Sequence, residues 1–322
     1  TVTEQGKKLL PCSGLAGNEF LDVYVKKGFV PFEKDAASRT MDYAFDDFCV
    51  AQMAKALGKK NDYNYLIKRS ENWKNIYNQD LKYIVPKDSS GQWMKDYNPF
   101  SGKHFVEGNG WQYTLYVPHD IPGLINMTGK ELFNSRLEEG FEKSVSHRFA
   151  AHAFDRYQPE AVKYYINMGN QVNMQSPFLF NYSGKPWLTQ KYTRAILDTY
   201  YGSTPYHGWE GDEDEGQMGA WFVNAAMGIF EMEGGCETVP MVNLTSPLFN
   251  KITVSLDSRY YKGSEFIIEA RNNSKDNIYI QSATLNNKPL DSVRIKFKDI
   301  VDGGSLILIM GPEPNKEWGK NY

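Results

Sequence analysis

Cysteine is scarce in this chain of 322 residues. Cys12, Cys49 and Cys236 are too few and too scattered for a disulfide framework or a cysteine-built zinc site, and at most one bridge can form. No run of ~18 apolar residues occurs, which excludes a membrane-spanning helix. A surplus of positive charge is missing too. With 36 Lys and Arg against 39 Asp and Glu the net charge is −3, so no basic surface advertises nucleic acid as a partner. There is no internal repeat. The chain opens on Thr1 without a charged and then apolar leader, so the start of the gene is expected upstream and the compartment is not legible from this end.

What is present in quantity is aromatic. Phe, Trp and Tyr make up 14% of the residues, with 21 Tyr and 7 Trp. Flat aromatic faces stack on the C–H surfaces of pyranose rings, and they also simply fill cores, so composition leaves both uses open. The length suffices for one large domain or two smaller ones. Asn126, Asn181, Asn243 and Asn272 each begin an Asn-X-Ser/Thr tripeptide, a pattern common by chance in an Asn-rich chain.

From about residue 40 to 230 the hydrophobic period is helical. A helix is expected over 40–57, capped by Thr40 and stopped by Gly58, and further helices over 63–77, 130–144, 159–168, 185–201 and 217–230. Long loops over 78–110 and 204–216 separate them, and such lengths usually carry function. After Pro240 the texture changes to short alternating runs at 252–256, 265–270, 278–285, 293–297 and 306–310, punctuated by Asn- and Gly-rich turns. The fold class read from this pattern is mainly α followed by β. A helical portion spans 1–240, and a small antiparallel β-module spans 241–322.

Two segments carry candidate chemistry. Gly208 to Gly216 places Asp212, Glu213, Asp214 and Glu215 in succession before an apolar helix, and packed like charges raise one another's pKa and attract cations. It is no EF-hand, because the fifth position counted from Asp212 is Gly216. Glu107-Gly108-Asn109-Gly110-Trp111-Gln112-Tyr113, leading to Val117-Pro118-His119-Asp120, mixes one acid with large aromatics and amides, the composition of a sugar pocket. Inverting hydrolysis of a glycoside needs one protonated carboxyl and one ionised carboxylate roughly 6.5–9.5 Å apart. Glu107, desolvated by Phe105 and Trp111, suits the acid, and Asp212 with Asp214 suits the base. Plainer readings stand beside these: Glu107 as an acid favoured by a helix dipole, and the acidic run as a solvated turn at a helix start.

These segments, with 181–190 (Asn181-Tyr-Ser-Gly-Lys-Pro-Trp-Leu-Thr-Gln190), 211–221, Gly28-Phe-Val-Pro-Phe-Glu33, Asp42-Tyr-Ala-Phe-Asp-Asp-Phe48, 279–286 and 310–315, resemble glycoside hydrolase family 92 in one order without gaps. The resemblance implies a calcium-dependent, inverting exo-α-mannosidase acting on terminal, α-1,2-linked mannose of N-glycans or mannan. Its catalytic domain would be an (α/α)6 toroid behind a β-sandwich. It further implies that this chain is the C-terminal portion of a longer polypeptide whose N-terminal β-sandwich half is a partner, with export to the periplasm, cell surface or medium. By motif, Glu107 would be the general acid and Asp212 with Asp214 the base pair. Trp111, Gln112, His119, Asn170 and Trp187 would bind substrate, and Asp214, Gln112, Asn170 and Gln171 would bind calcium. Retention of Glu107 argues against the mannose-phosphate diesterase branch. One departure weakens the metal site: the family's Gly-Asn-Glu-Pro reads Gly169-Asn170-Gln171-Val172 here, and Met174 and Gln175 replace histidines, so a negative charge is lost and cation affinity should fall. The alternative is an inactive or half-enzyme fragment, a carbohydrate- or calcium-binding module that needs the N-terminal portion.

Overall fold

The computed structural model describes residues 19–150, 165–211, 213 and 216–320. The chain divides into two compact units, Thr1–Thr114 and Leu115–Tyr322.

In the first unit, α1 (Leu21–Lys27), α2 (Ser38–Ala56) and α3 (Lys60–Arg69) lead through a 3-10 stretch (Ser70–Ile76) to the two-residue strands β1 (Tyr77–Asn78) and β2 (Tyr83–Ile84) and to the short α4 (Gly110–Thr114). Helix α2 forms because Met41, Ala44, Phe48 and Ala51 recur every three or four residues, and all four are buried on one face. The expected stop is in place, with Gly58 at φ 69° closing the helix. The expected cap is not. α2 begins at Ser38, ahead of Thr40, and the Thr40 Oγ1 accepts the Val30 N–H at 2.9 Å, a tertiary bond. Likewise the helix expected over 63–77 is regular only to Arg69 and then tightens into the 3-10 stretch.

One buried carboxylate ties these helices together. Asp47 on α2 is 5% exposed, accepts the Tyr24 hydroxyl at 2.9 Å and Arg69 Nε at 2.6 Å, and receives a second bond from Arg69 Nη2. The bond to Asp47 holds the Arg69 guanidinium above its ordinary pKa. Removing one member of such a buried pair strands the others.

The second unit opens with α5 (Ile121–Thr128), which sequence reasoning missed. Asp120 caps it by accepting the Gly123 N–H at 3.0 Å, and Pro122 sits in its first turn, where no donor is needed. α6 (Lys130–Ser144), α7 (Leu179–Tyr182), α8 (Pro186–Thr199) and α9 (Gln217–Met227) follow, with 3-10 turns at Gln171–Asn173 and Ser176–Phe178. Most of the helix expected over 159–168 lies outside the described residues. Its described end, 165–168, is not helical, and Met168 N–H instead donates to Phe149 O at 2.7 Å.

The strands then build two sheets. β3 (Ile229–Phe230), β4 (Met241–Leu244) and β9 (Arg294–Lys296) form one, in the order β3-β4-β9. β5 (Lys251–Ser255), β6 (Glu265–Arg271), β7 (Tyr279–Leu285), β8 (Lys288–Leu290) and β10 (Gly304–Gly311) form the other, in the order β5-β6-β10-β7-β8. The short α10 (Phe297–Val301) occupies the end of the run expected to be strand. The second sheet is mixed rather than antiparallel: β10 pairs antiparallel with β7 and parallel with β6. A last strand inserted between two that already run in opposite directions must run parallel to one of them. Alternation puts Phe266, Ile268 and Ala270 of β6 and Leu306, Leu308 and Met310 of β10 into one core with Val242, Leu244 and Trp318.

Buried polar bonds join this module to the helices before it. Gln190 Oε1 on α8 accepts the Ile280 N–H at 2.8 Å, Asn181 Nδ2 on α7 donates to Leu244 O at 3.1 Å, and Arg194 donates to Pro247 O at 2.8 Å. Asn181 and Asn243 are fully buried, so those two sequons cannot accept a glycan in the folded chain, whereas Asn126 and Asn272 are exposed. Replacing Asp47 by Ala is expected to destabilise the first unit by about 3 kcal/mol, because Arg69 and Tyr24 lose their shared acceptor. Urea unfolding measures it, and a loss below about 1 kcal/mol contradicts the tie.

Candidate active site

Glu107 lies in the first unit on the turn that enters α4. Its backbone is left-handed at φ 50°, a conformation a non-glycine residue adopts only when its surroundings impose it, and its side chain is exposed. The imposing contacts are local. Tyr113 OH donates to Val106 O at 2.8 Å, Asn109 Oδ1 accepts the Gln112 N–H at 2.9 Å, and Gln112 Oε1 accepts the Asn109 N–H at 3.2 Å. That reciprocal pair is a capping box that fixes the start of α4. Gly108 fits because a β-carbon there would come within 2.9 Å of Gln112 Oε1.

This geometry changes the reason offered for Glu107 as an acid. Phe105 and Trp111 are 7% and 3% exposed and pack inward, so within this unit they do not desolvate the exposed carboxyl. Trp111 turns no open face to solvent. Gln112, expected at a cation or sugar, is buried with its carbonyl oxygen already accepting a backbone N–H.

In the second unit the sequence candidates fall into two groups. Asn170 and Gln171 stand at the turn following Gly169; Asn170 is 7% exposed and its Oδ1 caps the 3-10 turn by accepting the Val172 N–H at 3.2 Å. Trp187 is drawn elsewhere. It lies in the first turn of α8, half-buried, with Lys316 Nζ 5.9 Å from its ring. His119 is half-buried in the turn that Asp120 N–H closes on Val117 O at 3.1 Å. Asp212 and Asp214 lie outside the described residues.

The loop that carries those two aspartates is nonetheless placed at both ends. Gly211, at φ 90°, lies so close to Gly169 that an added β-carbon would meet the Gly169 carbonyl oxygen at 2.6 Å and its α-carbon at 2.8 Å. The Tyr200 hydroxyl, bonded to Glu210 O, would lie 3.4 Å from a β-carbon at Gly169. Two backbones therefore touch, and Asn170 with Gln171 stand beside the start of the acidic loop. Between the two aspartates Glu213 turns inward, and its Oε1 accepts the Gly219 N–H at 3.1 Å in the first turn of α9, where the helix dipole favours an anion. The run of four acids thus serves in part as a helix cap.

Aromatic packing completes the frame. Trp221 on α9 donates Nε1–H to Met174 O at 2.8 Å and stacks on Tyr201 with centroids 5.6 Å apart. Tyr201 OH donates to Met218 O at 3.0 Å; burial first, then Tyr200 and Glu213, hold this phenol above its ordinary pKa. Sequence reasoning missed Gly169, Gly211, Tyr200, Tyr201 and Trp221. The one available signal was a glycine in each of two loops. Among the described residues no three His, Cys, Asp or Glu side chains converge as a metal centre would require.

The sequence profile of the glycosyl hydrolase family 92 catalytic domain matches residues 3–312. A family GH92 alpha-mannosidase from Bacteroides thetaiotaomicron superposes with TM-score 0.82 at 32% identity, covering 99% of this chain and 40% of that one. An inverting mannosidase of the same family and organism gives TM-score 0.80 at 30% identity over 95% of this chain and 41% of its own. An uncharacterized secreted glycosidase of Arthroderma benhamiae is 26% identical over 317 residues, 88% of this chain. The chain spans 36% of that relative and about two fifths of the two structures.

Gly211→Ala is expected to disrupt the contact with Gly169, since the new β-carbon meets backbone in a left-handed conformation. The readout is limited proteolysis of the 208–216 loop together with thermal unfolding. An alanine variant as resistant and as stable as the parent would contradict the close approach.

Proposed function

We propose that this chain, which belongs to glycosyl hydrolase family 92, carries the catalytic carboxylates of an exo-acting α-mannosidase. The enzyme would release terminal α-linked mannose, α-1,2 in the first instance, from N-glycan or mannan chains with inversion. The observation that carries this reading is the match along 3–312 together with the likeness at 32% identity to a solved alpha-mannosidase.

In the proposed reaction Glu107 donates its proton to the departing glycosidic oxygen. Asp212 and Asp214 take a proton from water on the opposite face of the ring, and the new C–O bond forms as the old one breaks. The ordered turn before α4 would hold the acid in one place, lowering the entropy cost of reaching the transition state. The likeness to a secreted glycosidase of Arthroderma benhamiae supports export, and among the described residues no helix is long and apolar enough to cross a membrane.

Calcium is a separate proposal. The donors suit a hard cation in kind: Asn170, Gln171 and Gln112 offer amide oxygens and Asp214 a carboxylate. The charge is modest, because Asn170, Gln171 and Gln112 are all neutral amides, and Asn170 and Gln112 also spend part of their acceptor capacity on backbone N–H groups. When bound, the ion would hold sugar hydroxyls and neutralise nearby negative charge.

A second reading, favoured by the chain's span of about two fifths of the related structures, is a half-enzyme that turns over nothing until joined to an N-terminal β-sandwich portion. In an active form, Glu107→Gln is expected to cut kcat/KM on mannosides with poor leaving groups by about 10²–10⁴, and far less on those with activated phenols. Equal losses on both remove Glu107 from the acid role. Activity only after joining the two portions would select the half-enzyme. Chelation with EDTA is expected to abolish turnover and added calcium to restore it; unchanged rates after exhaustive chelation exclude the ion.

A further inference from the structure

The turn joining β3 to β4 buries a carboxyl that the proposed chemistry does not use. Glu233 is 6% exposed, and its Oε2 has no hydrogen-bond partner among the described residues. Ionised there, the carboxylate would exchange its hydration for no more than a bond from its own backbone N–H and the attraction of Arg294. The charged groups that act on it are Glu231 and Glu237 from the same turn and Arg294 from β9. The two neighbouring acids disfavour the charge on Glu233, and Arg294 favours it.

The backbone makes the crowding unavoidable. Gly234 and Gly235 turn the chain at φ 61° and 75°, and Cys236 N–H closes on Glu233 O at 3.3 Å. The Glu231 carboxylate lies over Gly235, 3.5 Å from where a β-carbon would stand. The turn also sits on a junction: β4, which it feeds, pairs with both β3 and β9 and gives Leu244 O to Asn181 of α7.

We propose that Glu233 is a pH-operated latch. Protonated, it allows the β3–β4 turn to close over it; ionised, it releases its proton to solvent and drives the turn open. Burial above all, then Glu237, with Arg294 opposing, pushes this carboxyl up to about 8. In the unfolded chain the same group ionises near its ordinary value of 4.5. Between those two values the folded state holds a proton that the unfolded state has lost, so stability falls as pH rises and the loss is complete above about 8. The latch closes on the acid side and opens on the alkaline side.

The test compares the parent chain with Glu233→Gln, which keeps shape and removes the titration, from pH 5 to 9. The parent's thermal midpoint is expected to fall across this range by several degrees more than that of the variant. Cys236, half-buried and outside any disulfide, reports the turn itself through peptide-resolved alkylation. The ratio of parent to variant labelling rates is expected to rise several-fold between pH 7 and 9. A nearby negative charge without opening would suppress the thiolate and lower that ratio. Superimposable pH curves for both proteins overturn the latch. Should Glu233→Gln not fold, the Glu231→Gln/Glu237→Gln pair must shift the parent's transition to lower pH, and an unshifted transition also overturns it.

Discussion

A backbone-on-backbone contact organises the candidate site in the second unit. Gly211 rests against Gly169 at a distance that excludes a side chain, and that contact sets the Asn170–Gln171 turn beside the loop that bears Asp212 and Asp214. A side chain at Gly211 would drive its β-carbon into the Gly169 backbone and hold the loops apart. Everything else in this region reinforces the arrangement. Trp221 bonds the Met174 carbonyl, Tyr201 stacks on Trp221, and Glu213 accepts the Gly219 N–H in the first turn of α9.

One of the four successive carboxylates before the apolar helix has a structural use. Like charges in sequence repel only if they share a space. Glu213 leaves the run by turning toward Gly219 N–H, where the unsatisfied donors at the helix start stabilise an anion. A charge cluster read as one chemical unit is thus divided by the fold between structure and candidate chemistry. At Glu107 the division goes the other way: the aromatic neighbours that sequence reading assigned to the acid belong to the core, and the acid itself stands on an imposed left-handed turn.

Much of the fold was legible because periodicity survives in any environment. The helix over 130–144, the core of α2, α8 and α9, and strands in all five of the runs expected after Pro240 lie where apolar spacing puts them. Family resemblance was legible because the motifs run in one order along nearly the whole chain, and the profile match over 3–312 agrees. What failed to read was local competition. Thr40 resembles a cap but spends its hydroxyl on Val30, and residues 165–168 look helical but Met168 bonds back to Phe149. In each case a partner distant in sequence, or a second use for the same atom, decided the outcome.

By itself the amino-acid sequence determined the order of elements, the change from helical to extended texture near residue 240, the identity of the family and the residue types available for acid, base and cation. Those follow from near-neighbour spacing and motif, which are written along the chain. Only the tertiary structure decided that Gly169 and Gly211 touch, that β10 enters between β6 and β7 and so runs parallel to one of them, that Asn181 and Asn243 are sealed in the interior, and that Glu233 is buried among other acids. Each of these depends on which surfaces meet across tens of residues, and burial and close approach are properties of a packed arrangement, not of a string.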